Sequence, residues 1–464
     1  MTEKQRVHLV GIGGSGMSPL AKILVEKGWQ VSGSDLRDTP TTRHLSSLGV
    51  SVKIGHHQAN LTDPDLVVIS SAIGPDNPEV VAAEERGIPV IHRSELLARM
   101  LNSCKGIAIS GAHGKTTITS MVALILDRAG LDPTVVIGGE LAEIGGGARS
   151  GEGQYLVAEA DESDRSFLRY RPYIAVISNI EADHLENYNG QFSQVVEGFV
   201  QFMRNVKEDG LVIVCIDDPV LREITPHSEV PVFTYGFGAA DYQADQVQVN
   251  KLGGNTFTVF EKGAAVGSIE LRVPGRHNVA NALAAIAVAR QVGVDWPAIR
   301  SALREFHGAK RRFQFIGEVN DILIVDDYAH HPTEIMATLR AAKEGWNRKL
   351  FAVFQPHRYS RTHYLFKEFT QAFDLADETI IANIYSPPPD HPIPGVTAAK
   401  LAAEIAEHTG RRVVQIDDKA AIIEYLLERI KPGDMVITMG AGDIWQVAEG
   451  LANSLKKLLN NAVG

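Results

Sequence analysis

The chain has 464 residues, 44% hydrophobic and 22% charged, and its 45 basic and 56 acidic side chains give a formal net charge of −11. That is enough apolar material for more than one buried core, which excludes global disorder, and the acidic balance argues against nucleic acid as a main partner. Two cysteines, Cys104 and Cys215, exclude a disulfide framework. No apolar run reaches the ~18 residues of a membrane span, and the first one, Val7–Val10, lacks the shape of a signal peptide. A cytoplasmic protein with no membrane partner is expected.

Short β-branched runs alternate with helical patterns along the chain, the mark of βαβ units and parallel sheets. Three blocks are expected: 1–103, 104–315 and 316–464. In the first, strand Arg6–Val10 leads through a Gly-rich turn to a helix over Gly16–Lys27, followed by strands Gln30–Gly33 and Leu66–Ser71 and a helix Ser94–Met100 capped by Ser94. The turn, Gly11-Ile12-Gly13-Gly14-Ser15-Gly16, fits G-x-G-x-x-G, with Asp35 about 20 residues on. Bare amides at a helix N-terminus suit a diphosphate. The motif does not separate a dinucleotide from another diphosphate nucleotide.

The second block opens with strand Gly106–Ser110 and the loop Gly111-Ala112-His113-Gly114-Lys115-Thr116-Thr117, then a helix to Ala129 stopped by Gly130. Two residues rather than four separate the glycines, but the working parts of a P-loop remain. Backbone N–H groups can cradle phosphate, Lys115 can reach the β/γ oxygens, and the Thr116 hydroxyl can hold Mg²⁺. Strands Gln154–Glu159, Ile174–Asn179 and Leu211–Cys215 come next. The first ends in Glu159, Asp161, Glu162 and Asp164, oxygen donors suited to a hard cation. The second ends in the polar run Asn179–His184. Residues 231–273 read as a small antiparallel addition and Asn278–Gln291 as a helix. Gly308–Phe313 is a basic knot in an acidic chain. It could supply a cation to the γ-phosphate on domain closure.

The third block alternates strand Ile322–Asp327, helix Thr333–Lys343, strand Leu350–Phe354, helix Thr362–Leu375 and strand Thr379–Ile384. A Pro-rich loop Ser386–Pro394, helices Thr397–Glu407 and Lys419–Arg429, strand Asp434–Thr438 and a terminal helix complete it. Asp326–Pro332 and Gln355–Thr362 end adjacent strands. Arg358 and Arg361, three apart, could fork onto one carboxylate. Zinc is not expected at His330 and His331, because adjacent residues do not share a face and no cysteine assists.

Gly11–Met17, Gly111–Thr117, Glu159–Phe167, Asp326–Glu334 and Gln355–Thr362 together resemble the Mur ligase family over nearly the whole chain. The resemblance implies an α/β protein of three domains. These are an N-terminal Rossmann-like domain for a UDP-sugar, a central P-loop ATPase domain with a mostly parallel sheet, and a C-terminal Rossmann-like domain for an amino acid. It implies ATP-dependent ligation of L-alanine to UDP-N-acetylmuramate through an acyl phosphate, with ATP and Mg²⁺. The alternative within the family is ligation of a tripeptide to the same UDP-sugar. Outside it stand a dehydrogenase using Gly11–Gly16 and a nucleotide-gated binding protein.

Residue by residue, the resemblance implies that Lys115 holds the β/γ-phosphates within Gly111, Ala112, His113, Gly114, Thr116 and Thr117. Thr116, Glu159 and His184 would surround Mg²⁺, Asn278 would meet adenine, and Arg312 and Asp326 would reach the ATP. Gly11, Gly13, Gly14, Ser15, Gly16, Met17 and Asp35 would take the UDP-sugar, and His331, His357, Arg358 and Arg361 the amino acid. Lys115, Glu159, His184 and Arg312 would be the catalytic set. Gly190–Arg204 holds no lysine, so no carbamylated lysine is expected there. A homodimer is the assembly to look for.

Overall fold

The structure is a computed structural model that describes residues 5–387 and 390–463. Of the expected Pro-rich loop, Pro388 and Pro389 lie outside the described residues. The chain divides into two compact units. The first comprises Met1–Gln246, Phe257–Ile269 and Ala280–Phe306, and the second Val247–Thr256, Glu270–Val279 and His307–Gly464.

The first sheet contains β1 (Arg6–Val10), β2 (Gln30–Asp35), β3 (Ser51–Ile54), β4 (Leu66–Ile69) and β5 (Val90–His92). Their order is β3-β2-β1-β4-β5, every pair parallel. Strand order reverses beside β1, so the Gly-rich turn leaves the sheet at a topological switch point. The first helix begins at Ser18 rather than Gly16, because Gly14 and Met17 spend their N–H groups on successive turns, to Gly11 O at 3.1 Å and Gly14 O at 2.9 Å. The helix at Arg93–Asn102 is capped by His92, whose Nδ1 accepts from Ser94 N, and not by Ser94. Strand β3 escaped the sequence reading because it is a polar edge strand with an exposed face.

The second sheet has ten strands: β6 (Lys105–Ser110), β7 (Thr134–Leu141), β8 (Gly146–Arg149), β9 (Tyr155–Glu159), β10 (Ile174–Ile177), β11 (Leu211–Cys215), β12 (Val232–Gly236), β13 (Tyr242–Val249), β14 (Asn255–Glu261) and β15 (Ala264–Glu270). The order is β15-β14-β13-β12-β11-β10-β6-β9-β7-β8. Strands β12 to β7 along this order pair in parallel, and β8 adds antiparallel at the edge. The antiparallel addition is smaller than 231–273. Strand β12 belongs to the parallel part and β13 pairs with it in parallel as well, while only a two-residue turn, Lys262-Gly263 with φ of 50° and 80°, joins β14 to β15. So short a link connects antiparallel neighbours only.

The third sheet contains β16 (Gln314–Val319), β17 (Ile322–Asp327), β18 (Lys349–Phe354), β19 (Glu378–Ile381), β20 (Arg412–Gln415) and β21 (Asp434–Met439). Its order is β16-β17-β21-β18-β19-β20, with β16 antiparallel and the rest parallel. Residue 316 falls inside β16, so this sheet starts earlier than the sequence suggested. Alternate residues of β17 and β18 face two separate cores. Val325 and Phe354 pack with Phe369 and Phe373, while Ile324 and Phe351 pack with Ile422 and Val447. Both faces are thus buried under helices. The expected helix Thr362–Leu375 is two, Tyr359–Tyr364 and Phe366–Gln371, broken at Leu365.

Candidate active site

Three parallel strand ends build the centre of the first unit. β6 runs into Gly111–Gly114 and the helix Lys115–Arg128, with β10 on one side and β9 on the other. The loop is held by the two residues just past the end of β10. Asn179 O accepts Ala112 N at 3.2 Å, its Oδ1 accepts His113 N at 2.8 Å, and its Nδ2 donates to His113 O at 3.1 Å. Ser178 Oγ donates to the same carbonyl at 2.5 Å. With the Ala112 and His113 amides committed to Asn179, the N–H groups that open the helix are left without an intrahelical partner, a geometry suited to an anion.

Glycine is required at both ends of the loop. Gly111 and Gly114 have φ of 131° and 86°, and a Cβ on them would collide with Ser178 Oγ and lie 2.5 Å from Asn281 Oδ1, respectively. Lys115 folds back over the loop: Nζ donates to Gly111 O at 2.5 Å, Ala112 O at 3.3 Å and both Glu162 oxygens at 2.8 and 2.9 Å. Burial works against its charge, but Glu162, Asp161 and Glu159 outweigh that and raise its pKa. The sequence offered Glu162 only as one of four carboxylates and Asn179 only as the start of a polar run; the structure brings both to the loop, Glu162 through Lys115 and Asn179 through Ala112 and His113.

Glu159 ends β9 with Oε1 accepting from Gly138 N at 2.8 Å. Thr116 is buried on the first turn of the helix. A hydroxyl and a carboxylate are the hard oxygen donors that Mg²⁺ takes, so the donor set fits that ion. His184, at φ 54°, has its ring between Asp183 (3.4 Å) and Glu186 (3.7 Å). The His113 ring pairs with Glu181 at 3.2 Å.

At the other nucleotide motif, Asp35 closes the loop on itself: Oδ2 accepts Gly13 N at 2.9 Å. A Cβ on Gly13 would lie 2.9–3.0 Å from Thr42 and Asp35. Gly16 lies against the Arg93 guanidinium, 2.8 Å from where its Cβ would be. Arg93 is a cation at this sheet edge that the sequence reading missed. It comes from the far end of β5 and carries no motif.

In the second unit the two arginines of the basic knot part company. Arg311 is internal: Nε meets Asp326 at 3.0 Å, and its other nitrogens reach Gly442 O at 3.0 Å and Gly440 O at 2.5 Å. Asp326 is fully buried and also accepts from Thr438 Oγ1 at 2.6 Å, so in this structure its oxygens serve the domain interior. Arg312 lies more open, 5.1 Å over the Tyr328 ring and 3.7 Å from Glu334. Asn278 is buried, with Nδ2 on Pro274 O at 2.7 Å.

His331 caps the helix Pro332–Gly345, its Nδ1 accepting from Thr333 N at 3.4 Å. His357 stacks on Tyr385 at 5.7 Å and lies 3.5 Å from Arg361 Nη1. Burial, with Arg361 and Arg358 beside it, lowers its pKa to about 4. Arg358 has φ 71°, an uncommon conformation for a non-glycine residue, and its buried Nε has no hydrogen-bond partner among the described residues. With the imidazole neutral, the arginines supply positive charge suited to a carboxylate.

Models of the Mur ligase family match three stretches: its catalytic domain at 6–105, its middle domain at 109–289 and its glutamate ligase domain at 311–442. The chain belongs to the Mur ligase family. A UDP-N-acetylmuramate–L-alanine ligase of Pelotomaculum thermopropionicum is 48% identical over 466 residues, covering 100% of both chains. The crystal structure of a UDP-N-acetylmuramate–alanine ligase of Thermotoga maritima matches with a TM-score of 0.82 at 30% identity, covering 98% of this chain and 99% of that one. A murein peptide ligase of Psychrobacter arcticus matches at 0.69 and 28%, covering 97% and 98%. Among the described residues of this Mur ligase, no helix is long and apolar enough to cross a membrane.

Proposed function

We propose that this Mur ligase joins L-alanine to the lactyl carboxylate of UDP-N-acetylmuramate at the expense of ATP, in the cytoplasm, as a step of peptidoglycan synthesis. The first block takes the UDP-sugar, the central block ATP, and the third the amino acid. A carboxylate does not yield to an amine, because oxide is too poor a leaving group. Its oxygen therefore first attacks the γ-phosphorus of ATP, giving an acyl phosphate and ADP. The alanine nitrogen, having lost a proton, then adds to the acyl carbon, and phosphate leaves with the C–O electron pair.

Two anions meet in the first step, so cations must offset their repulsion. Lys115 supplies one and Arg312 another. Thr116, Glu159 and His184 would hold Mg²⁺, which supplies charge neutralisation on the phosphate oxygens when bound. Asp35 keeps the Gly11–Met17 loop closed for the diphosphate, and Arg358 and Arg361, beside a neutral His357, take the alanine carboxylate.

The observation that carries this reading is Lys115, placed on a P-loop between two strand ends that bring carboxylates and Asn179 to it. The test is phosphate release from ATP, Mg²⁺ and UDP-N-acetylmuramate with L-alanine, with the tripeptide, or with neither. Release that depends on L-alanine supports the reading. Release with the tripeptide alone transfers the protein to the recycling activity, and release indifferent to both makes it a nucleotide switch.

A further inference from the structure

Lys115 cannot grip a phosphate in the conformation it holds here. An ammonium has three N–H donors, and all three are accounted for by Gly111 O, Ala112 O and the Glu162 carboxylate. Two of those acceptors are carbonyls of the loop itself. The third is an anion, chemically the nearest of the three to a phosphate. Glu162 is 6% exposed, and among the described residues Lys115 is the only other residue that donates to its side chain.

Glu162 does not occupy this place through loop flexibility. Its own carbonyl accepts from the hydroxyl of the fully buried Tyr188 at 2.6 Å, and the next carbonyl, Ser163 O, accepts from Asn187 Nδ2 at 2.7 Å. The helical turn after His184 thus clamps the backbone on which Glu162 sits. Only the side chain is free to give way.

We propose that Glu162 is a positioning residue that holds Lys115 in the nucleotide-free site and competes with the incoming phosphates for it. The triphosphate takes Lys115 by exchange of partners. When the nucleotide leaves, the carboxylate reclaims the ammonium, so a buried cation is never left without an anion. Nucleotide affinity is therefore set below what the loop could reach, which favours the departure of ADP. This rests on the reading that Lys115 binds the triphosphate.

The direction of the effect separates this role from a structural one. Removing a supporting residue weakens ligand binding, whereas removing a competitor strengthens it. In Glu162→Gln the shape stays and the charge goes. Binding of ATP with Mg²⁺, measured by calorimetry without the acid substrate, is expected to tighten three- to tenfold, and ADP to bind more tightly too. Glu162→Asp, whose shorter carboxylate reaches Lys115 poorly, is expected to fall between wild type and Gln and carries the test if Gln does not fold. Unchanged or weakened ATP binding in a folded variant overturns the proposal. Lys115→Met is the control. If it binds ATP like wild type, the assignment of Lys115 itself fails. If it loses ATP while the Glu162 variants match wild type, only the competition is refuted.

Discussion

Asn179 brackets His113 from both sides, its Oδ1 accepting the His113 amide and its Nδ2 donating to the His113 carbonyl. A side chain at the end of one strand thus does for the phosphate loop what a neighbouring strand does in a sheet. Asn179→Ala takes the partner from the part-buried His113 amide, while Ser178 Oγ still serves the His113 carbonyl, at a cost of about 1 kcal/mol in stability. The loop also loses its anchor, and misplacement by about 1 Å costs on the order of 10²-fold in rate. Steady-state kinetics should show kcat/KM for ATP falling far more than kcat/KM for alanine. Equal losses for both would mean that Asn179 serves the fold and not the loop.

Gly138 is shaped by Glu159. A Cβ at 138 would sit 2.8 Å from one carboxylate oxygen and 3.1 Å from the other. The carboxylate is the end of a flexible side chain and would yield before the backbone does. Gly138→Ala is therefore expected to leave thermal stability within about 0.5 kcal/mol, while displacing the donor proposed for Mg²⁺. The Mg²⁺ concentration for half-maximal activity should rise about tenfold or more. Unaltered Mg²⁺ dependence in Gly138→Ala would remove Glu159 from the proposed metal site.

These two cases show where the sequence was legible. The phosphate loop is contiguous, and its glycines and lysine announce themselves. Its supports are not. Asn179 and Glu162 matter because β10 and β9 flank β6 in the sheet, a neighbourhood fixed by packing between segments some 50 to 70 positions apart. The end of β9 and the residues after it offered four carboxylates of equal chemistry, and spacing alone could not say that Glu162 would fold onto Lys115. The strands that were readable are the buried parallel ones, apolar on both faces, such as Lys105–Ser110 and Lys349–Phe354. Polar edge strands such as Ser51–Ile54 and Arg412–Gln415 were not, for the opposite reason.

The basic knot teaches the same lesson with a sharper test. Arg311 and Arg312 are neighbours of identical chemistry, yet only Arg311 is tied to Asp326 and to two carbonyls. Arg311→Ala strands a buried carboxylate, at an expected cost of about 3–5 kcal/mol. Arg312→Ala removes a partly exposed side chain, and stability should change by no more than about 1 kcal/mol. If Arg312 supplies charge to the transferring phosphoryl group, its loss lowers kcat on the order of 10²-fold or more. Urea unfolding and turnover should therefore rank the two variants in opposite orders. The same order in both assays would dissolve the distinction.

His330 makes the third sheet sensitive to acid. Its Nδ1 lies 2.9 Å from Tyr328 O, which can only accept, so the neutral ring carries its proton there. Burial lowers its pKa to about 3, aided by Arg361 and His357 and opposed by Glu334 at 3.4 Å. The unfolded chain protonates the same group near the ordinary histidine value of about 6.5. Between those values the unfolded state binds more protons, so stability falls as pH drops from about 6.5 toward 3. The slope is at most about 1.4 kcal/mol per pH unit for this group. His330→Asn keeps an N–H for the Tyr328 carbonyl and does not titrate. Urea midpoints between pH 7 and 4.5 should decline less steeply in the variant than in the wild type. His357, lowered to about 4, adds acid sensitivity of the same sign. Parallel slopes in the two proteins would mean that His330 is already charged in the native state.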